Sequence, residues 1–324
     1  MKLIIQIPCY NEAADLPSVL AGIPRVIPGI DCVEVLVVDD GSTDGTEAVA
    51  YANGADHVVR HPGNRGLAAA FRSGLDAAIR LGADVVVNTD GDNQYPQEAI
   101  PSLVAPILAG KADVVIGDRN PGAAPYFSPL KRWLQRRGAA TVRMVSGTDV
   151  ADPASGFRAF SREAALRTNV LSTYSYTMET VIQAGASGLR VVSVPIGARE
   201  VTRPSRLMRS MPHYLAHSGA TIIRAFATYR PLAVFMSFGA LLITLGLIGI
   251  ARFVFYYFAD GGAGHVQSVV LAGTIFMLGW IVLLNGLLAD LIAANRRLTE
   301  EALVRLRRLE SRRDDETMAS RRKD

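Results

Sequence analysis

Apolar and polar positions divide this chain into two regimes. Up to about residue 205, short apolar runs alternate with polar, glycine-bearing segments. Leu3-Ile4-Ile5-Gln6-Ile7, Val33-Glu34-Val35-Leu36-Val37-Val38 and Ala83-Asp84-Val85-Val86-Val87 each read as a buried strand. Each runs into an acid-bearing tip. The first leads to Pro8-Cys9-Tyr10-Asn11-Glu12 and a helix predicted to begin near Ala13. The second leads to Asp39-Asp40-Gly41-Ser42-Thr43-Asp44-Gly45-Thr46, a turn and another helix start, and the third to Asp90-Gly91-Asp92-Asn93-Gln94-Tyr95-Pro96. Repeated strand, turn and helix predict an α/β doubly wound sheet, which gathers such tips along one edge around a single crevice.

Further along, the pattern changes. Leu232 to Ile250 is apolar without a charge, and Val266 to Leu288 is a second run of membrane-spanning length. We read these as two transmembrane helices over about 232–257 and 266–289; buried core helices are the competing reading. Arg252 and Asp290 fall near helix ends, where charge reaches the interface. The connection Ala259–His265 has no Lys or Arg, whereas Arg224 and Arg230 precede the hairpin and Arg296 and Arg297 follow it. The positive-inside rule then places both termini, and the domain that precedes the hairpin, on the cytoplasmic side of the inner membrane. Leu3–Ile7 is too short for a secretory h-region.

Residues 206–230 mix cations with apolar positions, from Arg206-Leu207-Met208-Arg209 to Arg224-Ala225-Phe226. This fits a juxtamembrane interfacial helix and equally a solvated helix packed on the domain. His213 and His217, four apart, lack a third ligand nearby and read as polar positions of that helix. From 291 to 324 a basic helical tail carries Leu298, Leu306 and Leu309 among Arg and Glu. It is expected to leave the membrane as a helix, open to self-association, with a solvated end after Arg312.

Composition agrees: 324 residues, 49% hydrophobic, mean hydropathy +0.21 and net charge +4. The basic residues cluster near the apolar runs, which favours anionic lipid headgroups; no stacking aromatics are interleaved with them as a nucleic-acid surface would require. Cys9 and Cys32 form neither a disulfide framework nor a metal spacing and read as packing residues in a reducing compartment. No Walker loop or Gly-x-Gly-x-x-Gly opens a helix, which disfavours an ATPase or a dehydrogenase.

Asp90 and Asp92 carry the chemistry most directly. Two carboxylates one residue apart at a strand tip offer hard oxygen ligands for Mg²⁺ or Mn²⁺ against a diphosphate, although Asp-Gly-Asp also makes ordinary turns. The ordered set Pro8-x-x-Asn11-Glu12, Asp39-Asp40-Gly41-Ser42, Asn64-Arg65-Gly66, Asp90-x-Asp92 and Asp152-Pro153-x-Ser155-Gly156-Phe157-Arg158 resembles family 2 glycosyltransferases of GT-A fold. Within that family it is most similar to dolichol-phosphate mannose synthases and bacterial polyprenyl-phosphate glycosyltransferases, over roughly residues 1–205.

The resemblance implies a nucleotide-sugar-binding GT-A domain over 1–205 and a metal held by Asp90 and Asp92, with Gln94 as a further oxygen ligand. It places the donor's base and ribose against Pro8, Tyr10, Glu12, Asp39 and Arg65, and it sets Arg119, Arg132 and Arg136 toward an acceptor phosphate. Arg136 stands where relatives often carry serine, and reads either as a further phosphate contact or as a surface cation. Asp152 would orient an arginine or the sugar and Arg158 would support its loop; a structural salt bridge explains both equally well. Asp92, Arg119 and Asp152 are the implied catalytic group. For Asp40, Ser42 and Asp44, turn or cap roles are at least as fitting. Glu179 falls where relatives have an acid near the acceptor, and Arg203-Pro204-Ser205-Arg206 departs from the family's mobile segment by a missing glycine.

The expected activity is that of a metal-dependent, inverting hexosyltransferase moving one sugar from a UDP- or GDP-sugar to a polyprenyl phosphate. A processive polysaccharide synthase is disfavoured because no Gln-x-x-Arg-Trp motif is present: Arg132-Trp133 lies upstream of Asp152. A non-catalytic membrane scaffold is the rival of another class. A homo-oligomer through the membrane helices is a further expectation.

Overall fold

The computed structural model describes residues 1–120, 129–172, 175–197, 231–261, 264 and 266–321; of 129–136, 231, 233, 260 and 311–321 it describes the backbone alone. The chain divides into two units, residues 1–223 with 300–324, and residues 224–299.

The first unit is built on seven strands: β1 (Lys2–Cys9), β2 (Cys32–Asp39), β3 (His57–Arg60), β4 (Val85–Asn88), β5 (Val114–Asp118), β6 (Arg158–Ser161) and β7 (Val191–Pro195). They form one sheet in the order β3-β2-β1-β4-β6-β5-β7. The three strands read from the sequence are β1, β2 and β4. All three are parallel, as apolar runs without alternation require: both faces are covered by helices, so neither face needs polar side chains. Leu3, Ile5, Ile7, Val35, Val37, Val85 and Val87 meet Leu16 and Leu20 of α1 (Leu16–Gly22) and Leu103 and Val104 of α4 (Ile100–Leu108) in one buried cluster. On the other face α3 (Leu67–Arg80) lays Phe71 and Leu75 on the sheet.

The helix predicted near Ala13 begins at Leu16. Asn11 turns the chain with φ 54°, and the amides of Asp15 and Leu16 close a turn on the Glu12 carbonyl before Pro17 enters the first helical turn. α2 (Thr46–Ala52) follows the second acidic tip as expected. Cys9 is buried, in keeping with a packing role, but Cys32 is exposed: β2 starts with it before the strand enters the core.

The order of strands reverses between β1 and β4, which makes their carboxyl ends the switch point of the sheet. β6 then runs antiparallel to both β4 and β5, with Arg158 opposite Asn88 on one side and Ile116 on the other. Its amino end therefore lies beside their carboxyl ends. That single reversal delivers the segment 152–157, which precedes β6, to the same edge as the acidic tips. Between β5 and β6 runs α5 (Pro129–Ser146); α6 (Arg162–Arg167) and α7 (Thr177–Ala186) follow β6.

In the second unit α8 (Pro231–Asp260) packs against the first part of α9 (Val266–Arg321). Both are long and apolar enough to cross a membrane, with mean hydropathies of 2.3 and 2.1 over their candidate spans. Glycines set their spacing. A Cβ on Gly246 would lie 2.7 Å from Phe276 and one on Gly279 2.8 Å from the backbone nitrogen of Ile243, so only glycine allows this approach. The outward faces leave Leu241, Leu245, Ile248, Leu278, Ile281 and Leu288 exposed, as a lipid-facing surface would.

Before residue 311 the far end of α9 docks on α3 and α6. Arg307 is only 14% exposed, donates from Nη1 to the carbonyls of Leu166 and Thr168 at 3.1 Å each, and pairs with Asp76 of α3 at 3.1 Å. It thereby satisfies carbonyls left over at the end of α6. Arg308 pairs with Glu163 at 2.6 Å. The spans assigned to 206–230 and the solvated end after Arg312 lie outside the described side chains. Replacing Arg307 and Arg308 together by alanine is expected to destabilise the first unit by about 1–3 kcal/mol, chiefly through the unpaired carbonyls. Hydrogen exchange read by mass spectrometry should show faster exchange across 166–172, with β1 and β4 unchanged.

Candidate active site

Three asparagines in the left-handed region mark the edge of the sheet where the acidic tips converge: Asn11 (φ 54°), Asn93 (φ 57°) and Asn120 (φ 51°). Among the described residues they are the only non-glycines at positive φ. Each reverses the chain just beyond a strand, and such clustering of uncommon backbone is a mark of functional sites.

On the nucleotide side the loops after β1 and β2 are zipped together. Asn11 N donates to Ser42 Oγ at 2.9 Å, Thr43 N to Asn11 Oδ1 at 2.9 Å, Glu12 N to Thr46 Oγ1 at 3.1 Å and Ala13 N to Asp44 Oδ2 at 3.0 Å. Burial opposes the charge of Asp44, yet its hydrogen bonds from Thr46 and Ala13 hold its carboxyl below the usual range. Ser42 and Asp44 thus serve turn and cap roles. Asp40 likewise holds the backbone. It accepts from Arg65 N at 2.9 Å and Gly66 N at 2.8 Å and meets His61 Nδ1 at 2.6 Å, while His61 Nε2 reaches Ser73 Oγ. The Arg65 side chain is exposed at the rim.

Asp39 differs from Asp40. Its Oδ1 accepts from Ser42 N at 2.8 Å, but its buried Oδ2 has no hydrogen-bond partner, the Arg60 guanidinium standing 3.6 Å away. A buried carboxylate oxygen without a donor is costly, and a hydroxyl or ring N–H of a ligand would satisfy it. Tyr10, two residues after the buried Pro8, is 39% exposed.

Asp90, Asp92 and Gln94 follow β4. Gly91 lets this turn lie directly on the first loop, since a Cβ there would meet Cys9 Sγ at 2.9 Å and approach Glu12 and the Pro8 carbonyl. The turn after β4 and the loop after β1 are thereby in contact. Gln94 donates from Nε2 to Asp92 Oδ2 at 2.6 Å and from its backbone to Asp92 Oδ1 at 3.2 Å. Withdrawal from water, with the charge of Asp92 next in importance, pushes the Asp90 carboxyl up to about 7. Two carboxylates that resist ionising together are a donor set that a divalent cation would relieve. Among the described residues no group of three or more His, Cys, Asp or Glu gathers. Asp90 and Asp92 fit Mg²⁺ or Mn²⁺ as a partial set that a diphosphate would complete, with the Gln94 carbonyl oxygen as a third candidate.

Opposite stands Arg119, just past β5. Its Nε and Nη2 form a two-pronged pair with Asp152 at 2.7 and 3.1 Å, and its guanidinium lies 5.9 Å from the Tyr95 ring centre. Burial disfavours its charge, but Tyr95 and Asp152 outweigh that and raise its pKa. Asp152 is nearly fully buried while Arg119 stays 25% exposed, so the acid is the anchor and the arginine the presented group. Arg158 is fully buried and donates to the carbonyls of Ser155 and Pro153 and to Thr180 Oγ1. Burial lowers its pKa to about 10, which leaves it charged at neutral pH. It knits the 152–157 loop and reaches no solvent. Glu179, also buried, accepts from Leu171 N and Ser172 N and so holds the segment before α7.

Arg132 and Arg136 lie on α5, but their side chains are outside the described residues, as are Arg203–Arg206, His213 and His217. Several residues that shape the site drew no role from the sequence. Tyr95, 2% exposed, accepts from Gly156 N through its hydroxyl at 2.8 Å, and Asn88 and Tyr176 meet beneath the same loop. Asn88 had one visible signal, a lone amide closing a run of valines.

A family model described as "Glycosyl transferase family 2" matches residues 4–167, which contain every one of these loops up to β6. The chain belongs to glycosyl transferase family 2. Among curated relatives it is 33% identical over 206 residues to a polyprenol monophosphomannose synthase of Mycolicibacterium smegmatis, covering 60% of this chain and 76% of that one. It is 31% identical over 206 residues to an undecaprenyl-phosphate mannosyltransferase of Micrococcus luteus, covering 60% and 83%. Glycosyltransferase AglJ of Haloferax volcanii is 30% identical over 313 residues, covering 94% of this chain and 96% of its own, so that match includes the helical hairpin. Among solved structures, glucosyl-3-phosphoglycerate synthase from Mycobacterium tuberculosis with Mn²⁺, UDP-glucose and phosphoglyceric acid superposes with a TM-score of 0.55 at 27% identity, covering 70% and 79%. The same enzyme has also been solved with Mg²⁺ and UDP. The family 2 chain described here is therefore a glycosyltransferase of GT-A-like fold with two apolar helices appended.

The pH dependence of cation binding follows from Asp90. Its folded pKa lies above its unfolded value, so the folded protein holds the proton more tightly. Without a cation, stability is greatest below the unfolded value and falls as pH rises toward about 7. A cation must displace that proton. Mn²⁺ affinity is expected to weaken by about tenfold per unit as pH falls below 7 and to level off above it. Asp90→Asn should abolish the slope along with most of the affinity, as read by Mn²⁺ titration with electron paramagnetic resonance.

Proposed function

We propose that this glycosyltransferase moves one hexose, with inversion, from a nucleoside diphosphate sugar to a polyprenyl phosphate at the cytoplasmic face of a membrane. The observation that carries the reading is the one sheet edge on which three things meet: the unsatisfied Asp39 oxygen, the Asp90–Asp92 pair, and Arg119 anchored by Asp152. The relatives named for polyprenol and undecaprenyl phosphate support the acceptor class, and the solved structures with UDP-glucose and UDP support the donor class.

Asp39 and the Pro8–Glu12 loop bind the base and ribose, with Tyr10 and Arg65 at the rim. Asp90 and Asp92, with Gln94, hold Mg²⁺ or Mn²⁺, which supplies positive charge to a leaving diphosphate. The acceptor is a phosphate monoester already ionised at neutral pH, so the protein's task is to bring an anion close to the anomeric carbon rather than to remove a strong proton. Arg119 suits this. Asp152 takes the Nε–Nη2 edge and fixes the fork, and among the described residues Nη1 is the nitrogen directed to an incoming phosphate oxygen in this reading. Arg132 and Arg136, one turn apart on α5, extend the anion path in this reading. The apolar helices α8 and α9 hold the enzyme where the lipid's headgroup emerges, with the catalytic unit and both termini on the cytoplasmic side.

Purified full-length protein, Mn²⁺, undecaprenyl phosphate and a panel of radiolabelled UDP- and GDP-sugars test the reading. One donor is expected to label an organic-extractable, mild-acid-labile lipid. Asp92→Ala is expected to lower turnover by at least about 10³-fold, the scale of losing a main electrostatic stabiliser, without changing the melting temperature by more than a few degrees. Arg119→Lys should lose about 10- to 100-fold, because a point charge cannot reproduce the fork. Label in no lipid fraction from any donor would refute the acceptor assignment, and equal turnover by Asp92→Ala would refute the site.

A further inference from the structure

Beneath the acidic turn, one glycine peptide is gripped from both sides. Gly156 N donates to Tyr95 Oη at 2.8 Å. Its carbonyl accepts from Asn88 Nδ2 at 2.8 Å and from Tyr176 Oη at 3.3 Å. Asn88 and Tyr176 are themselves joined at 2.8 Å, and both are fully buried. The grip is braced further down: Gln6 Nε2 donates to Asn88 Oδ1 at 2.9 Å, and the Tyr176 ring stacks on Phe71 at 3.9 Å with 4° between planes. What the grip presents is the bare α-carbon of Gly156. A Cβ there would lie 3.0 Å from each carboxylate oxygen of Asp90 and 2.9 Å from Tyr176 Oη.

We infer that Asn88 and Tyr176 are positioning residues for cation binding: they clamp the Gly156 peptide against Asp90 and so fix the aim of that carboxylate. Neither touches donor, acceptor or cation in this arrangement. They act through Gly156, which closes off one side of Asp90 and limits the orientations its two oxygens can take. A carboxylate so confined loses little freedom when a cation arrives, and such supporting contacts commonly change metal affinity by about 10- to 100-fold. The clamp joins three segments distant in sequence, the end of β4, the loop before β6 and the start of α7.

The inference rests on Asp90 and Asp92 holding the cation, and the test separates the two. Mn²⁺ binding to the full-length protein in the presence of UDP is measured by electron paramagnetic resonance for the wild type, Asp92→Ala, Tyr176→Phe and Gly156→Ala, with thermal unfolding of each. Tyr176→Phe keeps the ring stack and removes only the hydroxyl. It is expected to weaken Mn²⁺ by about 5- to 20-fold, to raise the apparent Mn²⁺ requirement of turnover by the same factor, and to leave turnover at saturating Mn²⁺ within about twofold. Gly156→Ala should weaken Mn²⁺ further. Combining it with Tyr176→Phe removes the tighter of its two collisions and should recover melting temperature without recovering Mn²⁺ affinity, a split that a purely structural role would not produce. Wild-type Mn²⁺ affinity in Tyr176→Phe, with affinity lost in Asp92→Ala, would overturn the clamp alone. Wild-type affinity in Asp92→Ala would overturn the cation site and the clamp with it.

Discussion

The antiparallel insertion of β6 between β4 and β5 is the constraint on which the rest of the site depends. Parallel strands alone would have sent the Asp152–Phe157 loop to the opposite edge of the sheet. Because Arg158 pairs with Asn88 on one side and Ile116 on the other, that loop opens beside the acidic turn after β4 and the arginine after β5. Everything that follows is local adjustment: the Gly156 peptide against Asp90, the Asp152 carboxylate against Arg119, and the Tyr95 ring beneath both.

Charge is the second organising quantity. The edge concentrates Asp39, Asp90, Asp92 and Asp152 and answers them with Arg119 and Arg158. The pairing is uneven by design of the fold. Asp152 is matched to Arg119, and Arg158 donates to loop carbonyls rather than to a carboxylate. Withdrawal from water first, and the charge of Asp92 second, raise the pKa of Asp90. Two crowded carboxylates beside a buried Asp39 oxygen that lacks a hydrogen-bond donor form a set that a divalent cation with phosphates and hydroxyls would suit.

The helical hairpin has the length and apolar surface of a membrane anchor. Its helices approach through Gly239, Gly246 and Gly249 on one side and Gly279 and Gly286 on the other, and they turn leucine, isoleucine and phenylalanine outward. Close backbone approach supplies packing where lipid would remove any hydrophobic gain from association. The distal part of α9 serves as a strap: Arg307 ends α6 and reaches α3, and Arg308 holds Glu163. In AglJ, similarity extends along nearly the whole chain, hairpin included.

How much of this was legible in the residues follows from the range of the forces involved. The unbroken apolar runs of β1, β2 and β4 and the charge-free stretches of α8 and α9 declare themselves locally, because burial on both faces or in lipid demands apolar side chains at every position. The acid-bearing tips and their convergence were legible for the same reason: strand direction in a parallel sheet leaves the tips only one edge. Through a resemblance Asp152 reads as orienting an arginine or the sugar, without Arg119 being singled out, and Arg158 as a support of its loop or a salt-bridge partner, while Glu179 is set near the acceptor. The sequence by itself determined the layers, the site's acids and the membrane-length helices. The tertiary structure alone decided that Arg158 and Glu179 face inward, that Asn88, Tyr95 and Tyr176 converge on Gly156, and that the tail docks through Arg307. Hydrogen bonds of about 3 Å between residues tens of positions apart leave no periodicity in the chain, so nothing short of the folded geometry can reveal them.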